Sequence, residues 1–308
     1  MSEVNVPLAK GSARLGFIGL GLMGRRLTQR LYGAGWNIRA WNRNPAPAQE
    51  IARSGIPVAP SLAALVSDSN MILSCLADDR AVRSTYLGEH GVLALAEPGS
   101  TIIEMSTISA ALSLELHRVA GERGIQLLDV AISGSTPAVE AGTLTLFAGG
   151  RRSTFDQCSP VFESIAAQWF FIGADSAGIR MKLVVNLLLG VGLQALAEAV
   201  ALGTYLKISE DVLLDVLSKT TVIPAALFGK FVKLRNRDYS PQFPLRLMSK
   251  DLNLVMEAAG TLAPVLSATR AAQRDFSGKA LADGDLDVSF IVASLVSQID
   301  GAERRKEE

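Results

Sequence analysis

A run of three glycines near the N-terminus constrains the fold more than any other feature. It spans residues 19 to 24, directly after a short apolar stretch and before a segment with helical spacing. In a strand–turn–helix unit, the first glycine allows a tight turn, the second lets the backbone approach a diphosphate, and the third allows close helix–strand packing. The N–H groups that begin the helix add positive potential for phosphates. The pattern predicts a dinucleotide-binding loop made of Gly19, Leu20, Gly21, Leu22, Met23 and Gly24.

Short apolar runs alternate with helical stretches through the first half of the chain. This alternation predicts βαβ units and a mostly parallel sheet that is covered on both faces. The predicted strands are Leu15–Gly19, Ile38–Asn42, Asn70–Cys75, Thr101–Met105, Gln126–Ile132, Leu144–Ala148 and Trp169–Ile172. Among the helices between them we predict Gly24–Ala34, Pro47–Arg53 and Ser109–Arg123.

The strand signals stop near residue 173, and the remaining sequence is typical of helices. We therefore predict two domains: a nucleotide-binding domain over residues 1–175 and an all-helical domain over residues 176–308. Ser209 is predicted to cap a helix that has Glu210 and Asp211 in its first turn. The other predicted helices are Ala225–Leu234, Met248–Gly260 and Pro264–Lys279.

The composition disfavours several other classes of protein. Lys plus Arg and Asp plus Glu each total 30 among 308 residues, so the basic excess of a nucleic-acid-binding protein is missing. Two His and two Cys are too few for most zinc sites and for a disulfide framework. We expect Cys75 and Cys158 to be reduced thiols, which fits a cytoplasmic protein. We interpret Met1–Ala13 as a polar leader without a targeting signal and Glu303–Glu308 as a solvated tail.

The segment Leu183–Leu206 is nearly all apolar and has to be weighed as a membrane span. Asn186, Gln194 and Glu198 interrupt it, and polar groups at such depth in lipid are costly. The pattern favours a long helix that is buried inside the protein or at a subunit interface. Together with the low charge of the second half, it predicts a homodimer or homotetramer formed through the helical domain.

The end of the second predicted strand indicates which dinucleotide is bound. An NAD-preferring site usually has Asp or Glu here to hold the ribose hydroxyls, but no acidic residue lies between Glu3 and Glu50. Arg43 stands where a 2′-phosphate would lie, and arginine suits phosphate through its charge and planar fork. We predict NADP(H), held here by Asn42, Arg43 and Asn44. The alternative is that Arg43 is an ordinary exposed loop arginine.

The long apolar helix carries one stripe of small or polar residues. They are four residues apart and therefore share a face: Gly178, Lys182, Asn186 and Gly190. A charged lysine in apolar surroundings is costly unless paired, and we interpret the flanking glycines as space for a ligand. Hydride transfer to a carbonyl builds negative charge on oxygen, which an ammonium group stabilises and protonates. Lys182 is the candidate general acid/base and Asn186 orients it or the substrate hydroxyl. The alternative is that Lys182 reaches the surface and Asn186 caps a local kink.

A Ser-Gly-Ser turn follows the fifth predicted strand. At the carboxyl end of a strand, such a turn presents N–H groups and hydroxyls that suit a carboxylate. Ser133, Gly134 and Ser135 are therefore candidates for binding an acidic substrate. Taken alone, the same pattern is equally that of a plain turn.

With these motifs in this order, the chain resembles the β-hydroxyacid dehydrogenases from Leu15 to about Ala293. That family includes 3-hydroxyisobutyrate dehydrogenase and tartronate semialdehyde reductase. The glycine loop is similar to its cofactor loop, Ser133–Ser135 to its substrate-carboxylate loop, and Gly178–Asn186 to its catalytic segment. The resemblance implies a Rossmann-type doubly wound α/β sheet, then a long helix and an all-α domain of the 6-phosphogluconate dehydrogenase C-terminal type. It places the active site in the cleft between the two domains and makes Lys182 the general acid/base.

The resemblance extends the candidate site to further residues. Phe243–Leu252 is similar to a motif whose lysine and aspartate help to close the active site, Glu104–Thr107 resembles the strand end where a threonine approaches the nicotinamide, and Asp287–Ser289 matches a C-terminal signature. The cofactor-binding residues implied are Gly19–Gly24, Asn42–Asn44, Leu76, Thr107 and Lys250. The substrate-binding residues implied are Ser133, Gly134, Ser135, Lys182, Asn186, Phe243 and Asp251.

The predicted function is an NADP(H)-dependent oxidoreductase that interconverts a small β-hydroxyacid and its aldehyde or keto acid. Three departures from the family pattern leave the lysine chemistry intact and the substrate open: Ser135 and Glu104 replace glycine and aspartate, and Ala131 stands where proline is frequent. One alternative is an imine reductase-like enzyme, although such proteins typically lack the lysine. Another is a non-catalytic NADP-binding module.

Overall fold

The computed structural model of this chain describes residues 10–297. The predicted tail Glu303–Glu308 and most of the predicted leader Met1–Ala13 lie outside the described residues. The chain divides into two compact units, Met1–Lys182 and Leu183–Glu308. This division falls inside the long helix. The domain boundary predicted from the sequence, between residues 175 and 176, stays a prediction.

From residue 10 to residue 182, the first unit contains one seven-stranded sheet, and all seven predicted strands are present. Their bounds are β1 Arg14–Ile18, β2 Asn37–Trp41, β3 Met71–Ser74, β4 Thr101–Glu104, β5 Gln126–Ser133, β6 Leu144–Gly150 and β7 Ala166–Gly173. They lie in the order β2-β1-β3-β4-β5-β6-β7. Neighbours are parallel except β5 and β6, which are antiparallel. The prediction of a mostly parallel, doubly wound sheet is confirmed.

Apolar residues on both faces of the sheet explain why it is buried on both sides. In β3, Met71 and Leu73 belong to one apolar cluster, whereas Ile72 belongs to another. In β4, Ile103 belongs to the first of these clusters and Ile102 to the second. Because successive side chains of a strand point to opposite faces, β3 and β4 pack against apolar clusters on both sides of the sheet.

Eight helices connect these strands or follow them. Their bounds are α1 Leu22–Gly33, α2 Pro45–Arg53, α3 Leu62–Ser67, α4 Asp79–Tyr86, α5 Val92–Leu95, α6 Ala110–Glu122, α7 Thr136–Ala141 and α8 Arg152–Ile165. The three helices predicted by name are present with ends shifted by one or two residues. Several others are too short to show a helical period. Side-chain caps begin two of these, through Ser61 for α3 and Asp78 for α4.

The second unit is helical. Helix α9 Ala177–Tyr205 begins in the first unit, and α10 Glu210–Ser218, α11 Phe228–Arg235, α12 Leu245–Ala259 and α13 Ser267–Asp283 follow. Two 3₁₀ helices, Ala225–Leu227 and Gly260–Val265, precede α11 and α13, and residues 290–297 are helical as well. Ser209 occupies the predicted N-cap position of α10, with Glu210 and Asp211 in the first turn, but its side chain forms no capping hydrogen bond.

Helix α9 has a buried side, which is mostly apolar but includes two polar residues, and an exposed side, which carries large apolar residues. Within residues 10–297 it is the one helix long and apolar enough to cross a membrane, with a mean hydropathy of 1.9 in a window that is 44% buried. Asn186 and Gln194 are buried. Val184, Leu188 and Leu202 are 58%, 66% and 60% exposed, and their spacing puts them on one face of the helix. The unit therefore leaves an apolar stripe of α9 uncovered.

A buried ion pair organises the approach to α12. The Asp287 carboxylate lies 2.9 and 3.0 Å from Lys230 Nζ, and it accepts the main-chain N–H groups of Gln242, Phe243 and Ser289. Burial lowers the pKa of Lys230. Although burial also disfavours the Asp287 anion, the Lys230 charge and these hydrogen bonds keep the pKa of Asp287 below its usual value. The C-terminal signature Asp287–Ser289 thus fixes the chain that leads into α12.

Candidate active site

The glycine loop has the geometry that a dinucleotide diphosphate requires. Gly19 has φ of +95°, and a Cβ there would collide with the Cys75 carbonyl oxygen. A Cβ on Gly24 would collide with the Gly19 carbonyl oxygen, so α1 packs directly on the turn. Gly21 precedes α1 without a side-chain cap, and the space beside its Cα is open. The loop therefore fits a diphosphate at the N-terminus of α1, where N–H groups lack intrahelical partners.

The three residues that follow β2 differ in their contacts: the two asparagines bind main-chain groups, and the arginine is exposed. Asn42 Oδ1 accepts the Leu20 N–H at 2.9 Å, and Asn42 Nδ2 donates to the Asn44 carbonyl at 2.8 Å. Asn44 Oδ1 caps α2 through the Ala46 N–H at 3.1 Å. Both asparagines therefore hold the glycine loop and the next helix in place, a role that sequence reasoning missed. Arg43 is exposed and has no ion-pair partner in the described part of the chain.

The ends of β3 and β4 are tied together by a buried polar network. Ser106 Oγ accepts the Leu76 N–H at 2.7 Å and donates to Glu104 Oε1 in a short hydrogen bond. Glu104 also accepts from Ser74 Oγ at 3.2 Å and from the Ser106 N–H at 3.0 Å. The predicted cofactor residues Leu76 and Thr107 thus follow strand ends that Glu104 holds together. Thr107 itself is partly exposed.

Burial dominates the acidity of this network. The pKa of Glu104 is raised to about 7, chiefly by burial and to a smaller extent by the Asp129 charge, while hydrogen bonds from Ser106 and Ser74 oppose the shift. Burial also raises the pKa of Tyr86, whose hydroxyl lies 2.6 Å from Ser74 Oγ. The Glu104 carboxylate thus contacts serines at the ends of two strands.

The Ser133–Ser135 turn leaves polar groups at the carboxyl end of β5. Gly134 has φ of +130°, and a Cβ there would lie 2.7 Å from Leu144 Cδ2, so the turn requires glycine. Ser133 and Ser135 are partly exposed. Ser135 begins α7 without a side-chain cap hydrogen bond, although its carbonyl accepts the Ala138 N–H at 2.9 Å.

Asp129, in the middle of β5, caps the start of α9. Its Oδ1 accepts the Ser176 N–H at 2.9 Å and its Oδ2 accepts the Ile179 N–H at 2.8 Å. His117 Nε2 lies 2.8 Å from Asp129 Oδ1, and both side chains are buried. Sequence reasoning assigned neither residue a role. The available signal was a lone carboxylate inside an apolar strand, which is costly unless it is bonded.

The glycines of the lysine helix serve packing. A Cβ on Gly178 would collide with the Phe147 carbonyl oxygen and lie 2.5 Å from that of Asp129, and a Cβ on Gly190 would lie 2.7 Å from Leu252 Cδ2. The interpretation of these glycines as space for a ligand is therefore wrong, because protein atoms already fill it. Lys182, four residues after Gly178 in α9, is partly buried.

In the second unit, Asn186 and Asp251 form a buried pair. Asn186 Nδ2 donates to Asp251 Oδ2 at 2.7 Å, and Lys250 Nζ lies 2.7 Å from Asp251 Oδ1. Asn186 is fully buried, and its Oδ1 has no hydrogen-bond partner among residues 10–297. A buried acceptor without a donor is costly, so this oxygen suits a donor brought by a ligand or a neighbouring ammonium. Phe243 packs, partly buried, against the apolar cluster of this unit.

No group of three or more His, Cys, Asp or Glu side chains within residues 10–297 is arranged to hold a metal ion. Cys75 and Cys158 are both reduced thiols, as predicted. Burial raises the pKa of Cys158 to about 12, so this thiol is a core residue with little thiolate character.

Comparison with known families identifies the class of protein. Residues 14–173 match the family described as the NAD-binding domain of 6-phosphogluconate dehydrogenase. Residues 176–295 match the one described as the NAD-binding domain of NADP-dependent 3-hydroxyisobutyrate dehydrogenase. With the fold and the glycine loop, these matches define an oxidoreductase of CH–OH groups that binds a nicotinamide dinucleotide. The chain belongs to the β-hydroxyacid dehydrogenase family.

Relatives of known activity span nearly the whole chain. Glyoxylate/succinic semialdehyde reductase 1 of Arabidopsis thaliana is 29% identical over 91% of this chain and 98% of its own length. 2-(Hydroxymethyl)glutarate dehydrogenase of Eubacterium barkeri is 30% identical over 91% and 94%. The structure of Mycobacterium tuberculosis 3-hydroxyisobutyrate dehydrogenase with L-serine has a TM-score of 0.82 and 31% identity, covering 92% and 99%. An imine reductase from Pseudomonas sp. is more distant, with a TM-score of 0.61 and 20% identity over 92% and 99%, which shows a shared fold alone.

The raised pKa of Glu104 predicts a pH-dependent stability of the first unit. Its folded pKa of about 7 exceeds the ordinary value of 4.5, so the folded state favours the protonated form. The stability that this group contributes is complete below pH 4.5 and is lost as the pH rises through 7. The full change is about 3 kcal/mol. We expect Glu104→Gln to flatten the dependence of the free energy of unfolding on pH between 5 and 8.

Urea unfolding followed by tryptophan fluorescence measures this effect, because Trp36, Trp41 and Trp169 all lie in the first unit. Glu97→Gln is the control, since Glu97 is exposed. A Glu104→Gln profile parallel to those of the wild type and the control would contradict the raised pKa.

Proposed function

We propose that the protein is a cytoplasmic NADP(H)-dependent oxidoreductase that interconverts a small β-hydroxyacid and its semialdehyde or keto acid. Membership of the family supports the reaction class. The Arabidopsis relative is named for glyoxylate and succinic semialdehyde, which are aldehydes with a carboxylate. L-serine, present with the tuberculosis enzyme, has a carboxylate and a β-hydroxyl group. These molecules share the chemistry that we propose for the substrate.

The observation that carries the proposal is the polar pair on α9. Lys182 and Asn186 are four residues apart and share a face of a largely apolar helix. The side-chain oxygen Oδ1 of Asn186 is buried and receives no hydrogen bond from the described residues. A substrate hydroxyl supplies the missing donor, and an ammonium four residues away is suited to the same oxygen of the substrate.

Each residue then has a defined task in carbonyl reduction. When bound, NADPH supplies the hydride that adds to the carbonyl carbon. Lys182 donates a proton from Nζ to the carbonyl oxygen, where negative charge develops. Asn186 accepts the hydrogen bond of the resulting hydroxyl at Oδ1, because Asp251 Oδ2 holds its Nδ2. In the oxidation direction Lys182 takes the proton back.

The remaining predicted residues bind the two reactants. Ser133, Gly134 and Ser135 receive the substrate carboxylate through hydroxyl and N–H groups, with Lys250 adding charge, and Phe243 lines the side-chain pocket. The glycine loop holds the diphosphate of the cofactor, with Leu76 and Thr107 toward the nicotinamide. Arg43 binds the 2′-phosphate, since its guanidinium is exposed and has no ion-pair partner within residues 10–297.

Two alternatives differ from this proposal in their substrates. An imine reductase would oxidise NADPH with cyclic imines, and a non-catalytic NADP-binding module would transfer hydride to nothing. A panel of tartronate, succinic and methylmalonate semialdehydes, glyoxylate and a cyclic imine separates the three outcomes by NADPH absorbance. The proposal requires turnover of at least one aldehyde acid and slower turnover of the imine.

Replacing Lys182 tests the proton-transfer step. We expect Lys182→Ala to lower kcat by about 10²- to 10⁴-fold, the usual contribution of a general acid, and to leave the Kd for NADPH nearly unchanged. Arg180→Ala is the matched control, because Arg180 is an exposed cation on the same helix. Loss of NADPH binding in Lys182→Ala, or full activity of that variant, would refute the assignment.

Replacing Arg43 tests the choice of cofactor. An arginine–phosphate hydrogen bond contributes about 1.5–3 kcal/mol, so Arg43→Asp should lower the NADPH/NADH ratio of kcat/KM at least about tenfold. Arg53→Asp, at an exposed arginine in α2, controls for the change in net charge. An unchanged ratio would mean that Arg43 does not contact the 2′-phosphate.

We propose that a second copy of the chain covers the exposed stripe of α9. Val184, Leu188 and Leu202 are apolar and exposed, and exposed patches of this kind mark interfaces. Glu198 is also exposed near that face, and a charge there disfavours contact with lipid tails. The protein is therefore a homodimer or homotetramer joined through the helical unit.

The mass in solution tests this interface. Sedimentation should give a multiple of 32.7 kDa for the wild type, and Leu188→Glu should lower it because burying an unpaired carboxylate is costly. Leu281→Glu is the control on α13, since Leu281 is 90% exposed outside the stripe. A monomeric wild type, or an assembly that Leu188→Glu leaves intact, would contradict the proposal.

A further inference from the structure

We infer that Asp129 is a positioning residue for catalysis: it fixes α9 on the sheet so that Lys182 stays at a set place relative to the Ser133–Ser135 turn. This inference rests on the proposed function of Lys182. Asp129 touches neither reactant in this scheme and acts through the main chain of α9.

The Asp129 carboxylate binds the start of α9 at two points. One oxygen accepts the Ser176 N–H at 2.9 Å, and the other accepts the Ile179 N–H at 2.8 Å. The N–H groups of a first helical turn have no intrahelical partners, and a negative charge at this end is favoured by the helix dipole. Because two separate oxygens are used, rotation or sliding of α9 breaks at least one hydrogen bond.

Main-chain contacts make this attachment tight. A Cβ on Gly178 would lie 2.5 Å from the Asp129 carbonyl oxygen, and one on Gly149 would lie 2.6 Å from both Asp129 Oδ1 and the Ala177 N atom. The start of α9 therefore rests on the backbone of β5 and β6 with no side chain between them. Ser176, just before the helix, has φ of +67°, a left-handed conformation that serine rarely adopts.

The same strand carries the cap and the substrate turn. From Asp129, β5 continues four residues to Ser133, about 13 Å. From Ile179, α9 continues three residues to Lys182, about 4.5 Å along the helix axis. Both paths run through regular secondary structure. One starts at Asp129 and the other at Ile179, whose N–H is bound by the Asp129 carboxylate. The position of the lysine relative to the turn is thus set by Asp129.

The groups around Asp129 hold its carboxylate in one orientation. From α6, His117 Nε2 donates to Oδ1 at 2.8 Å, because a carboxylate only accepts. His117 Nδ1 lies 3.4 Å from Oδ1 of Asp175, whose side chain is 53% exposed. From β4, Glu104 is the residue paired with Asp129 in the strand register. His117 therefore holds the same carboxylate oxygen that accepts the Ser176 N–H.

The test is Asp129→Asn, which keeps the size of the side chain and leaves one acceptor for the two N–H groups. Single-turnover reduction of succinic semialdehyde by saturating NADPH gives a rate constant that does not depend on the fraction of folded enzyme, whereas its amplitude does. We expect this rate constant to fall about 10- to 100-fold, since misplacement of a reacting group by about 1 Å has such effects. The Kd for NADPH and the KM for the aldehyde should change less than the rate constant.

Two further variants make the result decisive. Ser61→Ala removes the cap of α3, where Ser61 Oγ accepts the Ala64 N–H at 3.1 Å; it should lower Tm without changing the rate constant. His117→Gln leaves Asp129 in place but loosens its brace, and should lower the same rate constant to a smaller extent. It serves as the test if Asp129→Asn does not fold.

The outcomes separate this inference from the proposed function. If the wild type reduces the aldehyde and needs Lys182, but Asp129→Asn and His117→Gln keep its rate constant, only the inference is overturned. If Asp129→Asn lowers only the amplitude and Tm, as we expect for Ser61→Ala, the inference is overturned as well, because such a change reports a loss of folded protein and not a misplaced lysine. A wild type that reduces no aldehyde acid, or does so without Lys182, overturns the proposed function and this inference with it.

Discussion

Two helices of the first unit rest directly on strand or turn backbone, and the rest of the candidate site depends on this contact. Helix α1 lies on the Gly19 carbonyl because residue 24 is glycine, and α9 lies on the carbonyls of Asp129 and Phe147 because residue 178 is glycine. Main-chain contact leaves no side chain whose rotamer can vary, so each helix start has one position on the sheet. The first helix presents its N–H groups to the predicted diphosphate site, and the second carries the predicted lysine.

Polar side chains at the carboxyl edge of the sheet complete this arrangement by binding main-chain N–H groups of the loops. Asn42 after β2 holds the Leu20 N–H, Ser106 after β4 holds the Leu76 N–H, and Asp129 in β5 holds two N–H groups at the start of α9. Loop N–H groups near a ligand site are costly when buried without partners. These side chains satisfy them and hold the loops still, so the same residues stabilise the sheet edge and shape the proposed cofactor site.

The sequence was sufficient for the sheet, because each strand is a short apolar run between turn residues and the runs alternate with helical periods. It also predicted the structural roles of Gly19 and Gly24, because these roles follow from the positions of the two glycines in a strand–turn–helix unit. Short helices such as α5 were not predicted individually, because four residues show no period. The spacing of Gly178 and Gly190 showed that both lie on one face of α9, but it could not show which atoms that face contacts. Close packing against other parts of the protein was therefore misinterpreted as space for a ligand. The bonds of Asp129 were beyond prediction because they join residues 47 and 50 positions apart.

The two buried carboxylates paired across β4 and β5 differ in the donors they receive. Asp129 receives two main-chain N–H groups of α9 together with His117, and a helix N-terminus favours an anion. Glu104 receives one main-chain N–H, that of Ser106, and two serine hydroxyls, and a hydroxyl donates to an anion but also accepts from a neutral acid. Two like charges on neighbouring strands in a buried sheet repel each other. Burial and this repulsion therefore favour the protonated form of Glu104, whose pKa is raised to about 7.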